Sequence, residues 1–295
     1  MNSKEMLHRR TQEVDAVILS YLPEVTGHQK TVLDAMDYSV RAGGKRLRPM
    51  LMEETYRLFG GTGVEIQPFM AAIEMIHTSS LVHDDLPCMD NDTLRRGLPT
   101  TWVKYGYDMA VLAGDSLLIY AIETAVKAFA MTEEAARVGK SIGILAAKTG
   151  IYGMIGGQTV DVELTNQPVP REKLEFIYRL KTGALLEASM MIGAVMAGAA
   201  EEEIQVVEQM ASAIGLAFQI QDDILDVTSD AETLGKPVLS DEKNKKTTYV
   251  TLEGIQKAKE DAKAVSEEAI ACLHKLPGQN DFLESLIRML VNREK

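Results

Sequence analysis

The chain is poor in the residues that staple or punctuate a polypeptide. Its two cysteines, Cys88 and Cys272, have no CxxC spacing, which excludes a disulfide framework and a thiolate zinc site. Cys88 therefore reads as a bystander. There are only nine prolines, and no Gly/Ser-rich linker, internal repeat or low-complexity tract. Although 295 residues would by length alone suggest two domains, one continuous domain over residues 1–295 is the expectation. Positive charge is in deficit at a net -12, which argues against nucleic acid or an anionic membrane as the default partner. The amino terminus, MNSKEMLHRRTQEV, has no apolar core of a signal peptide, and no run of about eighteen apolar residues stands out as a bilayer span. A cytoplasmic protein without stable membrane insertion is expected.

What is abundant favours helix. Hydrophobic residues make up 46% of the chain against 5% aromatics, with sixteen methionines and many alanines, leucines and glutamates. Apolar residues recur every three or four positions between turn signals such as GGTG at 60–63, TNQPVPRE at 165–172 and LPGQND at 276–281. An all-α bundle of ten or more helices follows. Neither βαβ alternation nor a Gly-rich phosphate fingerprint interrupts it, so a doubly wound nucleotide fold is disfavoured.

Two acidic clusters sit inside apolar segments, HDDLPCMD at 83–90 and QDDILD at 221–226. Met70, Ile73, His77, Ser80 and Asp84 step by three and four along one helical stripe. Val207, Met210, Ile214, Phe218, Asp222 and Asp226 do the same. Both groups of carboxylates are thus expected to point inward. Taken singly, Asp-Asp pairs also cap or end helices, as Pro87 after Asp84 and Asp85 would suggest. Two such clusters on two buried stripes favour a shared function instead. Unpaired inward carboxylates cost several kcal/mol each unless a cation meets them. With oxygen ligands only, that cation is a hard one such as Mg2+, bridging carboxylates to phosphate across a cavity in the bundle.

Positive groups recur beside glycines. RAGGKRLRP at 41–49 carries Lys45, Arg46 and Arg48, and NDTLRRG at 91–97 carries Arg95 and Arg96. Arg offers planar bidentate donors to phosphate, Lys a mobile point charge, and Gly a close backbone approach. KTG at 181–183, LGK at 234–236 and KKTT at 245–248 are weaker, since most lysines are simply solvated. His77 alone would usually be a satisfied core histidine; its place on the Asp84 stripe raises its interest.

GGKRLRP, HDDLPCMD running on to RRG, GGQ at 156–158, KTG and FQIQDDILD, in this order, resemble the short-chain trans-isoprenyl diphosphate synthases. The farnesyl and geranylgeranyl diphosphate synthase branches are the nearest likeness. The resemblance runs from about residue 30 to the terminal NREK. It implies a homodimeric all-α fold around a deep central cavity, with the two acidic motifs facing each other at its mouth. It also implies condensation of isopentenyl diphosphate with an allylic diphosphate, with loss of a proton to the released diphosphate, and Mg2+, usually three ions. Carried over by position, Asp84, Asp85, Asp90, Asp222 and Asp226 would hold the metal. Arg95, Lys181, Lys236 and Lys246 would meet the allylic diphosphate, and Lys45, Arg48, His77 and Arg96 the isopentenyl diphosphate. Thr182 and Gln219 would lie beside the developing cation. Catalysis would centre on Lys181, Thr182, Gln219, Arg95 and Lys236, and Arg293 and Lys295 would close the site.

One departure concerns product length. Many bacterial farnesyl synthases carry an aromatic five positions before the first Asp, as a floor under the growing chain; here Ser79 stands there, followed by Ser80. One isoprene unit adds about 5 Å, close to one helical turn. A product reaching geranylgeranyl diphosphate is therefore expected, with Tyr120, Met109 and Met154 as alternative floor residues. A terpene cyclase would normally lack the second DDxxD and have no need of GGKRLRP, and squalene- or phytoene-type condensation uses differently spaced acidic motifs. A non-catalytic modulatory subunit would be expected to have lost aspartates or basic strings, which are all present here.

Overall fold

The computed structural model describes residues 3–228 and 247–291. Fourteen α-helices make up most of the described chain. They are α1 (Ser3–Ser20), α2 (Lys30–Arg41), α3 (Leu47–Leu58), α4 (Gln67–Asp84), α5 (Thr101–Tyr105), α6 (Tyr107–Val126), α7 (Ala135–Thr149), α8 (Met154–Glu163) and α9 (Arg171–Ile177). After a π-helical turn at Tyr178–Gly183 follow α10 (Ala184–Ala197), α11 (Glu201–Thr228), α12 (Tyr249–Glu253), α13 (Ile255–Leu273) and α14 (Asp281–Val291). The only strands among the described residues are β1 (Leu94–Arg95) and β2 (Leu98–Pro99), a two-stranded antiparallel hairpin. The all-α expectation holds; the turn signal at 60–63 falls between helices, and those at 165–172 and 276–281 run into the first residues of α9 and α14.

Two helices have little polar face because neighbours enclose them. α4 buries Phe69, Met70, Ala71, Ala72, Ile73, Met75 and Ile76, and α10 buries nearly every residue from Ala184 to Met196. A helix apolar on all sides belongs in the middle of a bundle. α4 packs along α6, and α10 between α3, α7 and α11. The Asp84 stripe runs from Met70 and Ile73, both buried, to half-buried His77, Ser80 and Asp84. On α11, Val207, Met210 and Ile214 are likewise buried ahead of half-buried Phe218 and Asp222, and Asp226 is buried.

Arg46 overturns part of the reading of the first basic string. It takes a left-handed conformation (φ 50°) just before α3, which turns its side chain into the protein rather than toward a ligand. There Nε donates to Asp15 on α1 at 2.7 Å, Nη1 to Glu74 on α4 at 2.7 Å and Nη2 to the Val40 carbonyl at 2.6 Å. The guanidinium ties three helices together while Lys45 and Arg48 flank it. Removing one member of a buried ion cluster leaves the others uncompensated. Arg46→Ala is expected to lower the unfolding free energy by about 3–5 kcal/mol, measurable by urea denaturation.

Contrary to the expectation from hydropathy, two stretches are helical, long and apolar enough to cross a bilayer: Tyr107–Ala130 and Arg171–Ala197. The second is 72% buried over its most apolar window and is a core element; the first is only 39% buried. On α6, Leu112, Ile119 and Val126 recur at intervals of seven on one outward face, and Ile151, Tyr152 and Ile155 are exposed at the start of α8.

Candidate active site

Two cavities lie near the C-terminal half of α4, one bordered by Glu74 and His77 of that helix and the other by residues that follow it in the chain. The larger, about 710 Å³, is bordered by Asp90 and Asp92 after α4, Asp161 on α8, Lys181 and Thr182 in the π turn, and Gln219 on α11. The first acidic motif borders it through Asp90, and the second lies close by, since Gln219 sits one turn before Asp222 and Asp223.

Asp84 is the end of the buried stripe. Its Oδ1 accepts from Gln158 Nε2 of α8 at 2.7 Å, and its carbonyl accepts the Asp90 N–H at 2.8 Å. Burial raises its carboxyl to about 6, against the pull of Lys181, with Asp90 pushing the same way. Asp85, buried, lies against Arg95, which donates from Nε at 2.8 and 2.9 Å and from Nη2 at 2.6 Å. Burial raises the Asp85 carboxyl as well, and the Arg95 guanidinium opposes it. The structure thus separates neighbours that the sequence grouped: Asp84 lies beside Asp90, which borders the larger cavity, while Asp85 is engaged by Arg95. Among the described residues no three His, Cys, Asp or Glu side chains close tightly enough to cage an ion.

Lys181 Nζ is 2.5 Å from Asp161 Oδ2, and both line the larger cavity. Thr182 Oγ1 donates to Gln219 Oε1. Gln158 and Asp161 were not assigned roles from the sequence, although their spacing of three places both on one face of α8. Only tertiary packing shows that this face meets Asp84 and Lys181.

The second cavity, about 480 Å³, is bordered by Gly44, Lys45, Arg48, Glu74, His77 and Arg96. The hairpin explains how Arg95 and Arg96 reach different partners. Arg96 and Gly97 both take positive φ (54° and 78°), the backbone of a tight two-residue hairpin turn, so consecutive arginines leave in different directions. Arg95 goes to Asp85; Arg96 lies over the backbone of Gly44. A Cβ on Gly44 would come 2.8 Å from Arg96 Nη2, and its φ of +142° disfavours a side chain, so glycine is required there. Crowding of like charge marks this pocket. Burial and the neighbouring arginines hold His77 well below the usual histidine range, hence neutral at pH 7. Arg48 and Arg96 are lowered mainly by burial, and each is lowered further by another arginine. Arg48 Nε is buried with no hydrogen-bond partner among the described residues, a donor awaiting an anion.

Ser79 is 3% exposed and donates to the Gly114 carbonyl of α6 at 2.8 Å, so it faces the α4–α6 seam. Ser80 donates to the His77 carbonyl at 2.8 Å and stays on the Asp84 stripe. Met109 and Tyr120 are half-buried on α6, and Met154 is buried at the start of α8. Lys236, Lys246, Arg293 and Lys295 lie outside the described residues. Both thiols are free; exposed Cys88 accepts from Tyr107 Oη at 3.1 Å.

The site thus combines, within one helical bundle, an acid-lined cavity just beyond the end of α4 and an arginine-lined cavity bordered by α4. Residues 29–287 match the family model described as Polyprenyl synthetase, and the chain belongs to that family. It is 48% identical over 237 residues to the chloroplastic geranylgeranyl pyrophosphate synthase of Capsicum annuum, covering 80% of this chain and 64% of that protein. It is 39% identical to the farnesyl diphosphate synthase of Escherichia coli K12 over the full length of both. The crystal structure of geranyltransferase from Helicobacter pylori complexed with magnesium and isoprenyl diphosphate superposes with a TM-score of 0.83 at 32% identity, covering 99% of this chain and 97% of that one.

Proposed function

We propose that this protein condenses isopentenyl diphosphate with allylic diphosphates to give all-trans farnesyl and geranylgeranyl diphosphate. What supports this reading is that α4 links the two cavities: Asp84 at its end lies beside Lys181, Asp90 and Asp161, which line the larger one, and His77, seven residues earlier, borders the arginine-lined pocket. Two diphosphate sites joined by one rigid helix are what joining two prenyl diphosphates needs. In the reaction the allylic C–O bond breaks and diphosphate leaves. The isopentenyl double bond attacks the resulting cation, and a proton passes from the adjacent carbon to the released diphosphate.

Lys45, Arg48 and Arg96 would grip isopentenyl diphosphate, with neutral His77 as a hydrogen-bonding partner. The buried, unpartnered Arg48 Nε supports this assignment. Lys181 and Arg95, with Lys236 and Lys246, would meet the allylic diphosphate. Thr182 gives its proton to Gln219, which leaves hydroxyl lone pairs to stabilise positive charge without attacking it. The residues fit magnesium: the donors are all oxygens, and burial of the Asp84 carboxylate is offset by a dication. Asp84 and Asp90, with Asp222 and Asp226 opposite, would hold it, and Asp85 would orient Arg95. When bound, the metal neutralises the leaving diphosphate. An arrangement that takes few carboxylates per ion and completes the shell with diphosphate and water suits the open geometry among the described residues.

Product length rests on the α4–α6 seam. Ser79→Tyr would fill the seam beside Gly114, and its product profile is expected to shift by one isoprene unit toward farnesyl diphosphate. An unchanged C15 to C20 ratio by reversed-phase chromatography places the floor elsewhere. The outward α6 face fits a second copy of the chain. Ile119→Glu is expected to turn a dimer into a monomer in sedimentation velocity, and a dimer that survives the charge puts the interface on another face.

A further inference from the structure

The second acidic motif contains two adjacent aspartates that the fold treats differently. We propose that Asp223 is a positioning residue that sets the π-helical turn carrying Lys181 and Thr182, and that it does so without binding metal. This rests on the prenyl synthase reading of the site.

α11 meets the π turn on three successive turns of its own helix. At Gly215 a Cβ would come 3.0 Å from Gly183 Cα, so the two backbones pack directly. Four residues on, Gln219 accepts from Thr182 Oγ1. Four further on, Asp223 Oδ2 accepts from Tyr178 Oη at 2.5 Å. Positions 215, 219 and 223 thus pair with 183, 182 and 178, the two ends and the reactive part of the turn. A π turn holds one residue more than the α-helical hydrogen-bond pattern does, so its register needs external support. The same Oδ2 accepts the Tyr249 N–H at 2.7 Å, the first N–H of α12 and one that no intrahelical carbonyl can satisfy. One oxygen therefore anchors both the turn that carries Lys181 and the helix that begins just after Thr247, which borders the same cavity. Asp223 is 6% exposed, and Tyr178 and Tyr249, at 8% and 5%, close over it. Asp222, its neighbour, is half-buried.

Acceptance of two hydrogen bonds by one oxygen is a task an amide can perform; binding Mg2+ calls for the negative charge. The test compares Asp223→Asn, Asp223→Leu, Tyr178→Phe and Asp222→Asn with the wild type. For each, kcat, the KM of both substrates and the Mg2+ concentration for half-maximal rate are measured, with folding checked by circular dichroism. Asp223→Asn is expected to lose less than tenfold in kcat with the Mg2+ midpoint unmoved. Asp223→Leu and Tyr178→Phe are expected to lower kcat/KM for the allylic substrate while the KM for isopentenyl diphosphate stays within twofold, because that pocket is built on α3, α4 and the hairpin. Asp222→Asn is expected to raise the Mg2+ midpoint. A raised midpoint in Asp223→Asn overturns the proposal, as does an equal change in both KM values in Asp223→Leu. If the wild type itself forms no prenyl product, the reading of the site fails rather than this inference.

Discussion

Asp84→Asn is expected to lower kcat by about a thousandfold and, in metal-free buffer at pH 8, to raise the melting temperature. Both effects follow from one feature, the burial that lifts this carboxyl from 3.8 to about 6. In the unfolded chain the group ionises near 4, in the fold near 6, so between these values the unfolded state has already released a proton that the folded state keeps. Stability consequently falls as pH rises through that window, and the full cost is present above it. A two-unit shift is worth about 3 kcal/mol, which the neutral amide removes while still accepting from Gln158. Thermal melts of the two proteins should therefore diverge between pH 4 and 6 and run parallel above. Added magnesium with diphosphate should stabilise the wild type more than the variant. Equal melting temperatures at pH 8 would mean that the carboxylate is already compensated by Lys181.

Arg48→Gln is expected to raise the KM for isopentenyl diphosphate roughly 10- to 100-fold, the cost of a charge-assisted hydrogen bond. The KM of the allylic substrate should change by less than about twofold, because Arg48 borders the other cavity. Removing the burial cost of the guanidinium, which outweighs its attraction to Glu74, also predicts a small gain in stability without substrate. Steady-state kinetics with each substrate varied in turn distinguishes the cavities. A parallel rise in both KM values would show that they are not independent.

Helical periodicity made the two carboxylate stripes legible, since a buried apolar face that ends in Asp forces the acid inward whichever helices cover it. Composition and spacing likewise indicated an all-α bundle. Three things depended on backbone detail that no pattern carries. A left-handed residue at Arg46 sends that guanidinium to Asp15 and Glu74, so of three basic residues that border the pocket in one string, one spends its side chain as an internal tie. A hairpin turn divides Arg95 from Arg96. A π turn, which has no sequence signature, places Lys181 against Asp161 and Tyr178 against Asp223. Gln158 and Asp161 had no assigned role for a related reason: their helix is short and has little buried face, and only its approach to Asp84 gives them meaning.

We propose that two diphosphate pockets linked through α4 join two prenyl units. Incubating the purified protein with magnesium, isopentenyl diphosphate and dimethylallyl, geranyl or farnesyl diphosphate in turn, then resolving the dephosphorylated products by chain length, tests it most directly. The account predicts products that appear only when both substrates and magnesium are present, with farnesyl diphosphate itself extended to the C20 chain. No elongation of any starter by folded protein, or consumption of an allylic diphosphate alone to give a hydrocarbon, would contradict it.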